Sequence, residues 1–378
     1  MLEHSGRGAF IAERIGLPRF RAKLRQTGNG KLRAAFLGGS ITEGAGASEA
    51  ESASWRALTG QYLQDTYSEQ QFEFINAGVG GTNSTLGAHR FEEHVLHGGA
   101  IDLLFVEFSV NDGEDRTESV RGMEGIVRKC RRLAPEADIC FVYTAAPKNL
   151  TSPLPFNIAV HEEVAGHYGI PSVNFALRIY EGTQTGEIDW SLLAPDGYHP
   201  QDAGHALYAG YMREYLTSAL GEEKNERAVR VVWPIAPLDP GNYEFATMLP
   251  YAAAGYSAEF RTAELLPDEP LMNWRFSTEH RAAELPGAEF SWSATGQSAG
   301  VLLLYGPDSG IFEYSVNGEP FTQINLFDDW CLNAYRPIPA LFPVRATRGP
   351  LAVVIRSTES KDARSKGTGL RVLKLLVN

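Results

Sequence analysis

Residues 34–44 read Ala-Ala-Phe-Leu-Gly-Gly-Ser-Ile-Thr-Glu-Gly. Small and apolar side chains run into two glycines, then a serine, then polar residues and a third glycine. This is the pattern of a buried strand that ends in a sharp turn. Ser40 stands where the strand stops. In an open parallel sheet the carboxyl ends of the strands form the ligand-binding edge, so a hydroxyl at this position is presented to whatever binds there. The glycines let backbone N–H groups approach the same point.

The periodicity alternates on either side of this turn. Strand-like runs are predicted at Leu32–Leu37, Phe72–Ile75, Ile101–Phe108, Ile139–Thr144 and Pro171–Phe175. Helical patterns lie at Ser54–Tyr67, Thr85–Leu96, Glu118–Leu133, Phe156–Tyr168 and Ala203–Ala219. Such alternation predicts an α/β domain, a three-layer α/β/α arrangement of flavodoxin-like type around a parallel five-stranded sheet. Its order would be 2-1-3-4-5, with the switch point beside the first strand and therefore beside Ser40. Residues 8–26, broken at Pro18, read as a kinked or split amphipathic lead-in helix.

The texture changes near Glu222. A charged break is followed by three prolines between Val231 and Pro240, which favours extended chain. Short strand candidates follow at Tyr243–Met248, Leu271–Phe276, Glu289–Ala294, Val301–Tyr305, Phe312–Val316, Phe321–Leu326, Leu351–Arg356 and Leu370–Val377. Asn317-Gly318 is a strong hairpin signal. The predicted organisation is a first domain over 1–222, a Pro-rich linker over 223–242, and an all-β, jelly-roll-like sandwich over 243–378.

The chain has 378 residues, of which 43% are hydrophobic and 21% charged, with a formal net charge of -12. An acidic surface repels phosphates, so nucleic acid and anionic membrane are excluded as preferred partners. The three cysteines (Cys130, Cys140 and Cys331) are read as reduced thiols, which implies a cytoplasmic setting. An accessible thiol is considered at Cys331. The early residues carry charges throughout without a signal-like apolar run, and no stretch is long and apolar enough to span a bilayer. A homo-oligomer is left open by the sequence.

Three further segments carry candidate chemistry. Asn76-Ala-Gly-Val-Gly-Gly-Thr-Asn-Ser84 follows the second strand, Phe108-Ser-Val-Asn-Asp112 follows the third, and Asp196-Gly-Tyr-His-Pro200 precedes the last helix. Acyl transfer needs a nucleophile, a base, an orienting carboxylate and donors for an oxyanion. Ser40, His199 and Asp196 supply the first three. The Ser40 amide, the Gly81 amide and the Asn111 carboxamide supply the donors. Each residue alone has an ordinary use as a turn or cap; their joint occurrence, with the blocks in the order of the family they resemble, points to catalysis.

The four blocks together resemble the SGNH subgroup of GDSL-type hydrolases, whose named residues map onto Ser40, Gly81, Asn111 and His199, with Asp196 at the family's three-residue spacing before the histidine. Gly81 is taken by its offset from Asn76. The resemblance covers roughly Leu32–Leu220. Gly39 replaces the family's usual aspartate, and Ser109 replaces the usual glycine before x-Asn-Asp. It implies a serine esterase without cofactor. Carbohydrate acetylesterases, lipases, lysophospholipases and thioesterases all occur in the family.

Acetylated sugars such as xylo-oligosaccharides are favoured. No long apolar lid is evident, Glu43, Asn83 and Asp112 give the blocks a polar texture, and the appended β domain resembles carbohydrate-binding sandwiches. Trp274 and Trp292 fit strand positions and read as sandwich core, whereas Trp330 and Tyr335 lie in a loop-like stretch and are the candidate substrate-stacking residues. The competing readings are a small-molecule ester, lipid or thioester hydrolase and a non-catalytic carbohydrate-binding protein.

Several other patterns do not qualify. Gly296-Gln-Ser-Ala-Gly300 matches a nucleophile elbow but is followed by a strand pattern and by no later histidine. His161 and His167 are six apart, and His94 and His97 lack a third ligand, so no metal site is predicted. His205 reads as a packing or hydrogen-bonding residue.

Overall fold

A computed structural model describes residues 8–26, 30–221, 234–272 and 275–378. The chain divides into two compact units, Met1–Glu244 and Phe245–Asn378.

The first unit is built on strands β1 (Ile11–Ala12), β2 (Lys31–Gly38), β3 (Gln71–Gly78), β4 (Leu103–Glu107), β5 (Asp138–Tyr143) and β6 (Ser172–Asn174), in the spatial order β1-β6-β5-β4-β2-β3. The five parallel strands thus follow the expected 2-1-3-4-5 order. All of β2 except Lys31 is buried, as are all of β4 and β5. Burial on both faces explains their nearly continuous apolar sequence. Register matters most at the strand ends, where Gly38 lies opposite Gly78 on one side and Glu107 on the other. The loops that follow β2, β3 and β4 therefore leave the sheet at one level.

The lead-in segment differs from the helix expected over residues 8–26. Ile11–Ala12 pairs antiparallel with β6 (Ile11 opposite Val173), and only Pro18–Leu24 is helical. The open edge of β6 offers unpaired backbone groups that a short strand satisfies. Arg14 and Gly16 then adopt positive φ, and Pro18 opens the helix at a position where its missing N–H costs nothing. The helix expected over Thr85–Leu96 is split at Arg90 into Ser84–His89 and Phe91–His94. The buried Arg90 guanidinium donates to Gly38 O and Ala77 O, capping the ends of β2 and β3.

Part of the expected linker lies outside the described residues. From Pro234 onward it is docked on the helix Arg116–Leu133. The buried Glu124 carboxylate accepts Leu238 N–H at 2.6 Å and Asp239 N–H at 2.8 Å. Gly125 allows Tyr243 to lie directly on the helix, since a Cβ there would stand 2.6 Å from Tyr243 C. The first compact unit runs to Glu244.

The second unit consists of two antiparallel sheets. In Glu289–Gly296 the apolar Phe290 and Trp292 turn inward and alternate with exposed residues. They share one core with Val301, Leu303 and Tyr305 of the other sheet and with Val353, Ile355, Val372 and Leu375. This is sandwich packing. The Asn317-Gly318 turn carries φ of 54° and 76° and joins Phe312–Val316 to Thr322–Ile324, with Phe312 opposite Ile324. Arg336–Leu341, not anticipated because of Pro337 and Pro339, is an edge strand, where proline can be tolerated. Leu271 forms an isolated bridge to Tyr335, while Asn273 and Trp274 lie outside the described residues. Cys331 is fully buried, as are Cys130 and Cys140, and all three are free.

One buried histidine gives the first unit a predictable acid sensitivity. His89 bonds through Nδ1 to Thr85 O, while its buried Nε2 has no partner among the described residues. Burial pulls its pKa down to about 4. The unfolded chain, with histidine near ~6.5, then binds a proton that the folded chain refuses. Stability is therefore complete above that unfolded value and falls as pH drops through the window to about 4, by about 1.4 kcal/mol per pH unit for one proton. Urea denaturation across that range should show a flatter pH slope for His89→Gln than for the unsubstituted protein. Equal slopes would contradict this source of acid sensitivity.

Candidate active site

Ser40 opens a single helical turn, Ser40–Glu43, immediately beyond β2. Its N–H stands at the start of that turn, where no intrahelical carbonyl can accept it. The two preceding glycines are required by close packing. A Cβ on Gly38 would come 2.3 Å from Thr42 Oγ1, and one on Gly39 would come 1.9 Å from Asn111 Oδ1. Glycine in place of the family's aspartate at 39 thus leaves room for the Asn111 carboxamide beside the serine turn.

Ser40 Oγ lies 2.8 Å from His199 Nε2, and His199 Nδ1 lies 2.6 Å from Asp196 Oδ2. The other carboxylate oxygen, Oδ1, accepts the N–H groups of Tyr198 at 2.9 Å and His199 at 2.8 Å. Gly197, at φ +83°, closes this tight turn. Partial burial pushes the Asp196 carboxyl up, but the two amides and the imidazole outweigh it and hold its pKa below the ordinary value. An ionised Asp196 can only accept, so it fixes the proton on Nδ1 and leaves Nε2 to accept from the Ser40 hydroxyl. A neutral imidazole in this tautomer is arranged to take the hydroxyl proton.

The loop after Ser40 is stitched to the His199 segment. Gly46, at φ +90°, lies so close that a Cβ would stand 2.3 Å from Pro200 O. Ser48 N–H and Oγ–H both donate to the Asp202 carboxylate at 2.7 Å. His205 accepts Trp55 N–H at Nδ1 (3.2 Å) and bonds through Nε2 to Ala45 O (3.1 Å), a structural role.

The candidate oxyanion donors lie on the loops after β3 and β4. Of the glycines between Asn76 and Ser84, Gly78 donates its N–H to Asn76 Oδ1 and Gly80 donates to Glu43 Oε2 at 2.8 Å. Gly81 has φ +70°, and its N–H has no partner among the described residues. Asn111 N–H donates to Phe108 O at 3.0 Å, which folds the chain back at the end of β4. Ser109 is buried, and its hydroxyl accepts Thr144 N–H at 3.2 Å, so the departure from glycine ties this loop to the end of β5.

The structure treats the remaining candidates unequally. Trp330 is 60% exposed on the short turn Asp329–Leu332. Tyr335 is a correction: it is only 7% exposed, donates its hydroxyl to Asp308 and has Arg371 against its ring, so it offers no stacking face. Trp292 is in the sandwich core. Ser298 lies buried between two strands, without the helix a nucleophile elbow needs. His161 is fully buried against Asp112. Among the described residues no group of three or more His, Cys, Asp or Glu could hold a metal ion, and no helix is long and apolar enough to cross a membrane. Glu43 and Asp112, read from the sequence as polar texture for a sugar substrate, are engaged within the protein: Glu43 accepts Gly80 N–H, and Asp112 is buried against His161.

Ser40, His199 and Asp196 thus form one hydrogen-bonded series within the three-layer α/β/α unit. Residues 36–207 match the GDSL-like Lipase/Acylhydrolase family. The match lies within the first unit and supports a carboxylic ester hydrolase. Among curated proteins none matches it by sequence. Among solved structures, a two-domain esterase active on acetylated mannans, co-crystallised with mannopentaose, is 24% identical with a TM-score of 0.81, over 97% of this chain and 96% of that one. A second structure of such an esterase is 23% identical with a TM-score of 0.80, over 97% and 98%. An acetylxylan esterase from Geobacillus stearothermophilus is 20% identical with a TM-score of 0.43, over 52% and 96%. The first two likenesses establish a shared fold along the chain.

Proposed function

We propose that the protein removes short acyl groups, acetyl foremost, from esterified carbohydrates through an acyl-enzyme formed on Ser40. The observation that carries this reading is the continuous hydrogen-bonded series from Ser40 Oγ through His199 to Asp196. Ser40 Oγ attacks the ester carbonyl as His199 Nε2 takes its proton. The Ser40 and Gly81 amides and the Asn111 carboxamide stabilise the oxyanion. His199 returns the proton to the leaving sugar oxygen. A water, deprotonated by the same nitrogen, then releases acetate and regenerates the serine.

Two features support a carbohydrate substrate. The structures sharing this fold along its length include an esterase active on acetylated mannans. The second unit, an accessory domain in this reading, presents Trp330 to solvent, a ring able to stack on a sugar. Acetylated manno-oligosaccharides and xylo-oligosaccharides are the substrate candidates, and the three unpaired cysteines favour the cytoplasm as the place of action.

An acyl-length series on one leaving group, from acetate to palmitate, tests the assignment. Expected is a maximum of kcat/KM at acetate, with a fall of at least about 10-fold by octanoate, of the order of 1–2 kcal/mol in transition-state binding. Acetate release from both acetylated oligosaccharides then separates the sugars. A maximum at long acyl chains would replace the carbohydrate assignment with a lipid one, and no turnover of any ester would leave a binding protein.

A further inference from the structure

Two carboxylates bracket the glycine turn after β3. On the upstream side, Glu43, the last residue of the helical turn that Ser40 begins, accepts Gly80 N–H at 2.8 Å. Its carbonyl also accepts Asn76 Nδ2 at 3.1 Å. On the downstream side, Asp112 accepts Ser84 N–H and Ser84 Oγ–H, each at 2.8 Å. Thr82 N–H turns back to Val79 O. Gly81 is left between the two anchors with its N–H unpaired among the described residues.

Asp112 also governs the other donor, because it directly follows Asn111 in the chain. Its side chain is 3% exposed and takes two further hydrogen bonds, from Ser119 Oγ and His161 Nε2, both at 2.8 Å. Its carbonyl is held by Asn157 Nδ2 at 2.7 Å and by Lys148 Nζ. Burial alone would raise its pKa, but the bonds from His161 and Ser84 more than compensate and lower it, so the group stays a fixed anion. A buried carboxylate with four donors is rigid.

We propose that Glu43 and Asp112 are positioning residues of the oxyanion site: one links the nucleophile turn to the glycine turn, the other links the glycine turn to Asn111. Held this way, the Gly81 N–H and the Asn111 carboxamide keep a fixed separation around Ser40 before charge develops. That pre-organisation is what makes such donors effective in a transition state. The inference rests on the hydrolase reading above.

The test uses the full chain with kcat expressed per Ser40 titrated by a serine-directed phosphonate, so that misfolded protein is not counted. Glu43→Ala should lower kcat about 10- to 100-fold, part of the roughly 10²–10³ that loss of a whole donor costs, while KM changes less than about threefold. Affinity for a phenylboronic acid, which forms a tetrahedral adduct on the serine oxygen, should fall in parallel with kcat. Glu43→Gln keeps an acceptor for Gly80 N–H and should recover most of the loss. Asp112→Asn should behave like Glu43→Ala; if it does not fold, the Glu43 pair decides alone. An unchanged kcat per titrated serine in Glu43→Ala, a loss carried wholly by KM, or a glutamine variant no better than alanine would each overturn the inference. Absence of Ser40 labelling in the unsubstituted protein would instead overturn the hydrolase reading, and this inference with it.

Discussion

Ser40→Ala should reduce ester turnover by roughly 10⁴–10⁶-fold, the range seen when the nucleophile of a serine–histidine–aspartate unit is removed. The remaining rate would come from the oxyanion donors and substrate binding alone. The fold should survive the change. Ser40 is partly exposed, its Oγ bonds among the described residues to His199, and the helical turn it opens is fixed by Gly39 O accepting Glu43 N–H at 3.0 Å. Alanine is compatible with that turn. The expected result is a thermal midpoint within a few degrees of the unsubstituted protein, no measurable acetate release, and no phosphonate labelling. Labelling at a serine other than Ser40, or turnover within tenfold of the original, would remove Ser40 from the chemistry.

The parallel sheet was legible because each buried strand is a short apolar run flanked by turn residues, and two-sided burial demands such runs. What the pattern could not reveal was the two-residue strand Ile11–Ala12, which owes its conformation to the free edge of β6 rather than to its own residues. Arg336–Leu341 escaped for a related reason. Its prolines argue against a strand in general, and only its place at a sheet edge makes them tolerable. The docking of residues 234–244 was also invisible, because a proline-rich stretch reads as extended chain whether or not a buried Glu124 is waiting to accept its N–H groups.

In the candidate site, Ser40, Asp196 and His199 could be read from their blocks, and the structure brings their side chains into one hydrogen-bonded series. The choice among the glycines could not be read from residue types. It depends on which N–H groups are already engaged, and that depends on Glu43 reaching across from another loop. Tyr335 misled because a loop-like sequence does not report burial: its ring is enclosed by the Asp308 and Arg371 pairing within the second unit.

Asp196→Asn should also cost kcat heavily, although it changes one heavy atom. In the present geometry Oδ1 is committed to two backbone donors, Tyr198 N–H and His199 N–H, while Oδ2 faces His199 Nδ1. An asparagine must keep its carbonyl oxygen on the two amides, so its NH₂ group turns toward Nδ1. That nitrogen can then only accept, the ring proton moves to Nε2, and the imidazole meets the Ser40 hydroxyl as a donor instead of an acceptor. A loss of roughly 10³–10⁴ in kcat is expected at neutral pH, the scale on which a wrong tautomer acts. His199→Ala should lose at least as much. The double variant Asp196→Asn/His199→Ala should be within about tenfold of His199→Ala, because a carboxylate that works only by orienting an imidazole has nothing to act on once the ring is gone. Single-turnover rates with an acetyl ester for the three variants measure this directly. If the losses multiplied, so that the double variant fell a further 10³-fold below His199→Ala, Asp196 would be acting independently of His199 and the orienting role would have to be given up.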